Sequence, residues 1–197
     1  MSLPLPQELF LTADVTRVAR QLLGKVVITE QDGVVTSGLI VETEAYSHRE
    51  RGCHAYQNRL MERNKAMFME GGHIYVYLCY GIHHMLNVVT NRAGVGDAVL
   101  IRALQPLEGI EVMMQRMKAP SPKKITSGPG KLAKAMAINR TYNGLRFNHS
   151  SIRLEQGDTL RRSQVVASQR IGIDYAGEDA KLPWRFYWKD NEWVSKK

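Results

Sequence analysis

The sequence predicts an α+β domain with a largely antiparallel sheet, and three observations carry that reading. Two β-branched runs, "KVVITE" and "VVTSGLIVETEAY", are joined through Gln31, Asp32 and Gly33. An Asp-Gly step between such runs signals a hairpin. Further strand-like runs follow, "HIYVYLCY" and "HHMLNVVTN" with Gly81 near their turn, then "AVLIRAL". Helical segments do not alternate strictly with the strands, which argues against a βαβ succession.

Each element has its own signal. In "TADVTRVARQLLG", Val15, Val18, Ala19, Leu22 and Leu23 fall at helical spacing, and Gly24 is placed to stop the helix. Residues 47–64, "SHRERGCHAYQNRLMERN", are polar, charged and without clean period, the pattern of a long and functional loop. "PLEGIEVMMQRMK" predicts a helix with Pro106 at its first position and Leu107, Ile110, Met114 and Met117 on one face. "APSPKKITSGPG" is a Pro/Gly/Ser loop, "KLAKAMAIN" a short helix, and "SIRLEQG" and "WRFYW" later strands. At 197 residues the chain has the length of one domain, taken as 1–197. A chain of this size buries roughly 70% of its unfolded surface, so the core needs neither disulfide nor metal.

The charge is +8, from 27 Lys and Arg against 19 Asp and Glu. The isoelectric point is about 9.6. Such an excess points to a polyanionic partner, nucleic acid or an acidic membrane surface. Cys53 and Cys79 form no C-x-x-C pattern, which fits a reducing compartment. No apolar run approaches the roughly 18 residues of a membrane span. "MSLPLPQELF" lacks the charged and apolar regions of a signal peptide. The expectation is a cytoplasmic protein, nucleoid-associated through its affinity for DNA.

Several residues could carry chemistry. Glu42 and Glu44 lie two apart on a predicted strand and so share a face. They fit either an edge strand with a wet face or a general base or metal ligand, because an unpaired carboxylate is costly to bury. With an ordinary pKa of about 4.3, a glutamate serves as base at neutral pH without tuning. Tyr75 and Tyr77 alternate with Ile74, Val76 and Leu78, giving one aromatic and one aliphatic face. The aromatic face is either ordinary sheet packing or a stacking wall, where each stacked base is worth roughly 1–3 kcal/mol. "TSGPGKL" opens a helix with Gly128, Gly130 and Lys131, a plain helix start or an anion site. It is not a Walker A loop, since Leu132 follows the lysine. His48, Cys53, His54, Cys79, His83 and His84 are metal-ligand types, but none has zinc-finger or H-E-x-x-H spacing.

Six blocks occur in order: "IVETEAY", "RNKAMFM", "HIYVYLCYGI", "VLIRALQPLEG", "TSGPGKLAKAMAIN" and "RIGIDYAGEDAKLPWRFY". Together they resemble the alkyladenine (3-methyladenine) DNA glycosylase family from about Pro6 to Ser195. The resemblance implies one compact domain on a curved antiparallel sheet flanked by helices, with no cofactor and no metal. Its implied activity is to flip a damaged purine out of double-stranded DNA and hydrolyse its N-glycosidic bond, as a monomer. By matching motif, Glu44 is implied as the base that activates water, with Arg102 and the Ile171 carbonyl holding that water. Tyr46, His54 and Tyr77 are implied as the pocket around the base, Asn87 as the residue that rejects the amino group of guanine, and Tyr80 as the wedge. Lys123, Lys124 and Lys131 are the candidates for phosphate contact. Glu42 receives no role. The loop before His54 looks shorter than the family pattern.

The same residues admit two other readings. One is a nucleic-acid-binding module without catalysis, for which Glu44 among stacking tyrosines has no purpose. The other is a metal-dependent nuclease using Glu42, Glu44 and Asp97.

Overall fold

The computed structural model describes residues 3–196. Helix α1 (Val15–Leu22) starts at Asp14, whose carboxylate accepts the Arg17 N–H at 3.0 Å. It buries Val15, Val18, Ala19 and Leu22, the stripe that helical spacing predicts. Gly24 follows with φ +81°, and a Cβ there would lie 2.5 Å from the Asp158 carbonyl oxygen. Only glycine meets both demands.

Strands β1 (Val26–Gln31) and β2 (Val34–Tyr46) form the expected hairpin. Asp32 and Gly33 both take positive φ, 52° and 75°, as a two-residue hairpin turn requires. Strands β3 (Ile74–Cys79), β4 (His83–Thr90) and β5 (Asp97–Glu108) continue the sheet, followed after a gap by β6 (Asn148–His149), β7 (Ile152–Glu155), β8 (Val165–Ser168) and β9 (Arg185–Trp188). The order is β3-β4-β5-β2-β1-β7-β6, with β9 on β2 and β8 on β9. All these pairings are antiparallel. The fold is α+β, with helices against one face of a curled sheet. Among the described residues, no helix is long and apolar enough to cross a membrane.

Two expectations need correction. The helix predicted from Pro106 starts later, as α2 (Ile110–Met117), because β5 stays paired with β2 as far as Glu108. Pro106 faces Gly38 in that ladder next to a register shift, where a missing N–H is tolerated. Leu107 is therefore an exposed strand residue, and the buried anchor of α2 is Met113. The edge-strand reading of Glu42 and Glu44 also fails. β2 has β5 on one side and β1 and β9 on the other, and both carboxylates are fully buried.

The alternation along the strands divides two cores. Ile74, Val76, Leu86, Val88, Val99 and Ile101 join α1 and helix α3 (Pro129–Ala135) in the main core. Tyr75, Val89 and Ala98 point the other way, into a smaller cluster with Cys53, Ala55 and Met67. The irregular segment 47–68, which includes short 3₁₀ turns at Tyr56–Asn58 and Glu62–Phe68, roofs that second face. Leu22 sits in the main core with no exposure. Its replacement by alanine is expected to lower unfolding free energy by about 2–5 kcal/mol with an unchanged denaturant slope, measurable by urea titration.

Candidate active site

The second face of the sheet opens into a cavity of about 380 Å³. β2 contributes Glu44 and Tyr46, β3 contributes Tyr75, Tyr77 and Cys79, and β4 contributes Met85 and Asn87. Arg102 comes from β5, His54 from the loop, and Ile171 to Ile173 with Tyr175 close the far wall.

Glu44 has no solvent exposure. Its Oε2 accepts the Tyr46 hydroxyl at 2.7 Å, and its Oε1 accepts the Ile171 backbone N–H at 2.9 Å. Arg102 stands 3.4 Å from Oε1. Burial pushes the Glu44 carboxyl above its ordinary pKa, while Arg102, the Tyr46 hydroxyl and the Ile171 N–H pull it back. The neighbourhood is one of donors, which suits the ionised form. Ile171 thus reaches Glu44 through its N–H, a contact not read from sequence.

Arg102 is aimed by an irregularity in the ladder. Ile40 pairs with Leu104, Glu42 with Ala103 and Thr43 with Ile101, so Val41 and Arg102 have no partner. Each strand carries one extra residue here, the geometry by which bulges redirect side chains beside functional sites. Arg102 Nε donates to Glu42 Oε1 at 3.1 Å.

The aromatic side chains form a cage. His54 lies edge-on to Tyr77, with ring centres 4.5 Å apart, and Tyr75 tilts against Tyr77 at 5.4 Å. The Tyr75 hydroxyl is 2.9 Å from His54 Nδ1. Burial lowers the His54 pKa and raises those of Tyr46, Tyr75 and Tyr77, so the cage is neutral at pH 7. Asn87 Nδ2 donates to the carbonyls of Tyr75 and Met85 at 3.0 and 3.2 Å, which fixes the amide at the cavity wall.

Tyr80 is 88% exposed at the tip of the β3–β4 hairpin. Its φ of 51° is rare for a bulky side chain. Lys123, Lys124 and Lys131 are exposed, and the loop that carries the first two leads into Pro129 at the cavity wall. The candidate metal ligands are dispersed. His48 pairs with Asp97 at 2.8 Å, the Cys53 thiol donates to the Gly96 carbonyl with its pKa pushed up to about 12 by burial, and His83 packs on Gly130. Among the described residues, no group of three or more His, Cys, Asp or Glu could hold a metal ion.

Nearly the whole chain, these residues included, matches one family. The sequence model described as "Methylpurine-DNA glycosylase (MPG)" matches residues 9–192. The chain belongs to this family. It is 44% identical over 185 residues to a protein of Chlamydia pneumoniae, covering 92% of this chain and 93% of that one. A Methanocella arvoryzae protein is 46% identical over 183 residues, covering 91% and 90%. One from Carboxydothermus hydrogenoformans is 42% identical over 194 residues, covering 98% and 99%. Each bears the name "Putative 3-methyladenine DNA glycosylase".

In this methylpurine-DNA glycosylase family member, sequence reasoning missed the tie that closes the site. Arg170 donates from Nη1 to Glu50 Oε1 at 2.7 Å and from Nη2 to Oε2 at 2.8 Å. It also donates to the carbonyls of Ala45 and Asp179 and lies over the Tyr46 and Trp184 rings. The roof segment, β2 and the Ile171 wall are thereby joined. The available signal was a lone glutamate among arginines in "SHRERG" and an arginine directly before Ile171. Removing one partner strands the other charge, so Arg170→Ala is expected to cost about 3–5 kcal/mol. Limited proteolysis should then cut within 47–64 well before global unfolding.

Proposed function

We propose that the chain is a monofunctional DNA glycosylase for alkylated and deaminated purines, the class of 3-methyladenine, 7-methylguanine and hypoxanthine. It extrudes the damaged nucleotide from double-stranded DNA and hydrolyses its N-glycosidic bond, leaving an abasic site. The observation that carries this reading is a fully buried carboxylate, Glu44, held by two hydrogen bonds with the Arg102 guanidinium beside it, at the wall of an aromatic cage.

In the proposed reaction, Glu44 accepts a proton from water as the water oxygen bonds to C1′ of the deoxyribose. The C1′–N bond breaks, and its electron pair leaves with the purine. Positive charge builds on the sugar in the transition state, and a carboxylate in a water-poor cavity stabilises it strongly. Arg102 and the Ile171 backbone are the candidates to orient the water. Alkylation at N3 or N7 makes the purine cationic, so it leaves readily and lies favourably against the electron-rich faces of Tyr46 and Tyr77. His54 completes the cage. The fixed Asn87 amide leaves no room to adapt to the exocyclic amino group of guanine.

Glycosylases as a class extrude the target nucleotide, at a few kcal/mol of lost stacking. The protruding Tyr80 ring is suited to fill the vacated space. Lys123, Lys124 and Lys131, with the +8 charge, serve phosphate contact, a term that weakens with salt.

Glu44→Gln should bind a lesion duplex as wild type does and lose about 10²–10⁴-fold in single-turnover base release. Unchanged release would overturn the assignment. Because burial raises the Glu44 pKa and the base is the ionised form, wild-type release should rise with pH along a limb above the ordinary glutamate range, then level. Tyr80→Ala should reduce the extruded population about tenfold or more, read by a fluorescent base beside the lesion. A signal equal to wild type would exclude the wedge role.

A further inference from the structure

Glu42 is buried as completely as Glu44, yet it does not line the cavity. Its carboxylate accepts four hydrogen bonds. Oε1 receives Arg102 Nε at 3.1 Å, Arg185 Nη1 at 2.7 Å and the Ser195 hydroxyl at 3.0 Å. Oε2 receives the Ser195 N–H at 2.8 Å. Arg185 also donates to the Lys196 carbonyl at 2.7 Å, so the segment after β9 covers the cluster.

We propose that Glu42 is a positioning residue: with Ser195, it holds the Arg102 guanidinium beside Glu44 without letting it close on that carboxylate. This rests on the proposed glycosylase activity. The distances carry the argument. Arg102 is bonded to Glu42 at 3.1 Å and only near Glu44 at 3.4 Å. Its Nε is engaged by Glu42, and one Nη is left toward Glu44. A guanidinium freed from Glu42 would meet Glu44 with its full fork, the favoured two-bond geometry of arginine and carboxylate. That pairing would occupy the oxygen lone pairs that must take the proton from water.

Mere charge balance does not account for the arrangement. Arg185, at 2.7 Å and almost fully buried, already neutralises Glu42. The bulge that leaves Arg102 unpaired in the ladder turns it to span both carboxylates. The groups that face Glu44 are Tyr46 and Glu42 on β2, Arg102 on β5, Tyr77 on β3 and Arg170 in the loop, with Arg185 opposite it in the β2–β9 ladder. Among these, Glu42 adds a negative charge that raises the Glu44 pKa, and Arg102 lowers it. Losing the Glu42 charge and tightening Arg102 both act in one direction, toward a weaker base.

The experiment is single-turnover release from duplexes carrying one 7-methylguanine or one hypoxanthine, across pH, with active enzyme counted by reaction amplitude. Glu42→Gln should lower the maximal rate about tenfold or more, leave lesion-duplex affinity within about twofold, and move the acidic limb to lower pH. Glu42→Asp, which keeps the charge, should recover part of the rate. Ser195→Pro removes the N–H and the hydroxyl beyond the last strand, leaves the sheet intact, and should change rate and limb in the same sense. Wild-type rate and limb in Glu42→Gln and Ser195→Pro would overturn the proposal. So would a loss confined to amplitude, which marks a purely structural role. No release by wild-type protein from either duplex would instead overturn the glycosylase reading.

Discussion

A carboxylate buried from bulk solvent at the wall of a cavity is the constraint around which this molecule is arranged. Burying Glu44 on a central strand is unfavourable unless donors replace its hydration. The compensation comes from three separate parts of the chain: the Tyr46 hydroxyl on β2, the Ile171 N–H from the β8–β9 connection, and the Arg102 charge on β5. Each must itself be held. Arg102 is held by Glu42, and the Ile171 loop by the Arg170–Glu50 pair. The second buried glutamate and the second buried ion pair follow from the needs of the first.

The sheet makes this possible because a strand has two faces. One face packs on the helices and supplies an aliphatic core that gives the fold its stability. The other carries the polar and aromatic side chains of the cavity and packs more sparsely, against an irregular segment. Strict alternation alone would not place Arg102 beside both glutamates. The paired irregularity at Val41 and Arg102 resets the register there, so a local break in the ladder turns Arg102 toward the two glutamates while the main core stays regular.

What was legible in the sequence was mostly what depends on near neighbours. The α1 stripe, the Asp-Gly hairpin, the Gly24 stop and the two-faced β3 strand all follow from spacing within one element. Motif resemblance named Glu44, Tyr46, His54, Tyr77, Asn87, Arg102 and Ile171 as candidates, and these seven residues line one cavity. The start of α2 was misplaced because a proline that suits a helix start also suits a register shift, and only the β2 partner decides between them. The bonds from Glu50 to Arg170, from Glu42 to Ser195 and from Tyr75 to His54 join residues distant in sequence. No periodicity reports such contacts.

The wiring of the two glutamates bears on which purines this cavity suits under the proposed activity. A cationic alkylated purine carries its own leaving-group activation and needs only a base and a stabilised sugar cation. A neutral purine such as hypoxanthine also needs a proton on the departing ring. Among the described residues that line the cavity, Glu44 is the one carboxylic acid, and Glu42 is committed to two arginines. The phenols of Tyr46 and Tyr77 are pushed by burial away from ready proton release. His54 is pushed toward its neutral form. The cavity is therefore rich in what a cationic base requires and poor in strong acids. Under the proposed activity, discrimination among neutral lesions would then rest on fit against the rings and the fixed Asn87 amide more than on acid assistance to the bond that breaks.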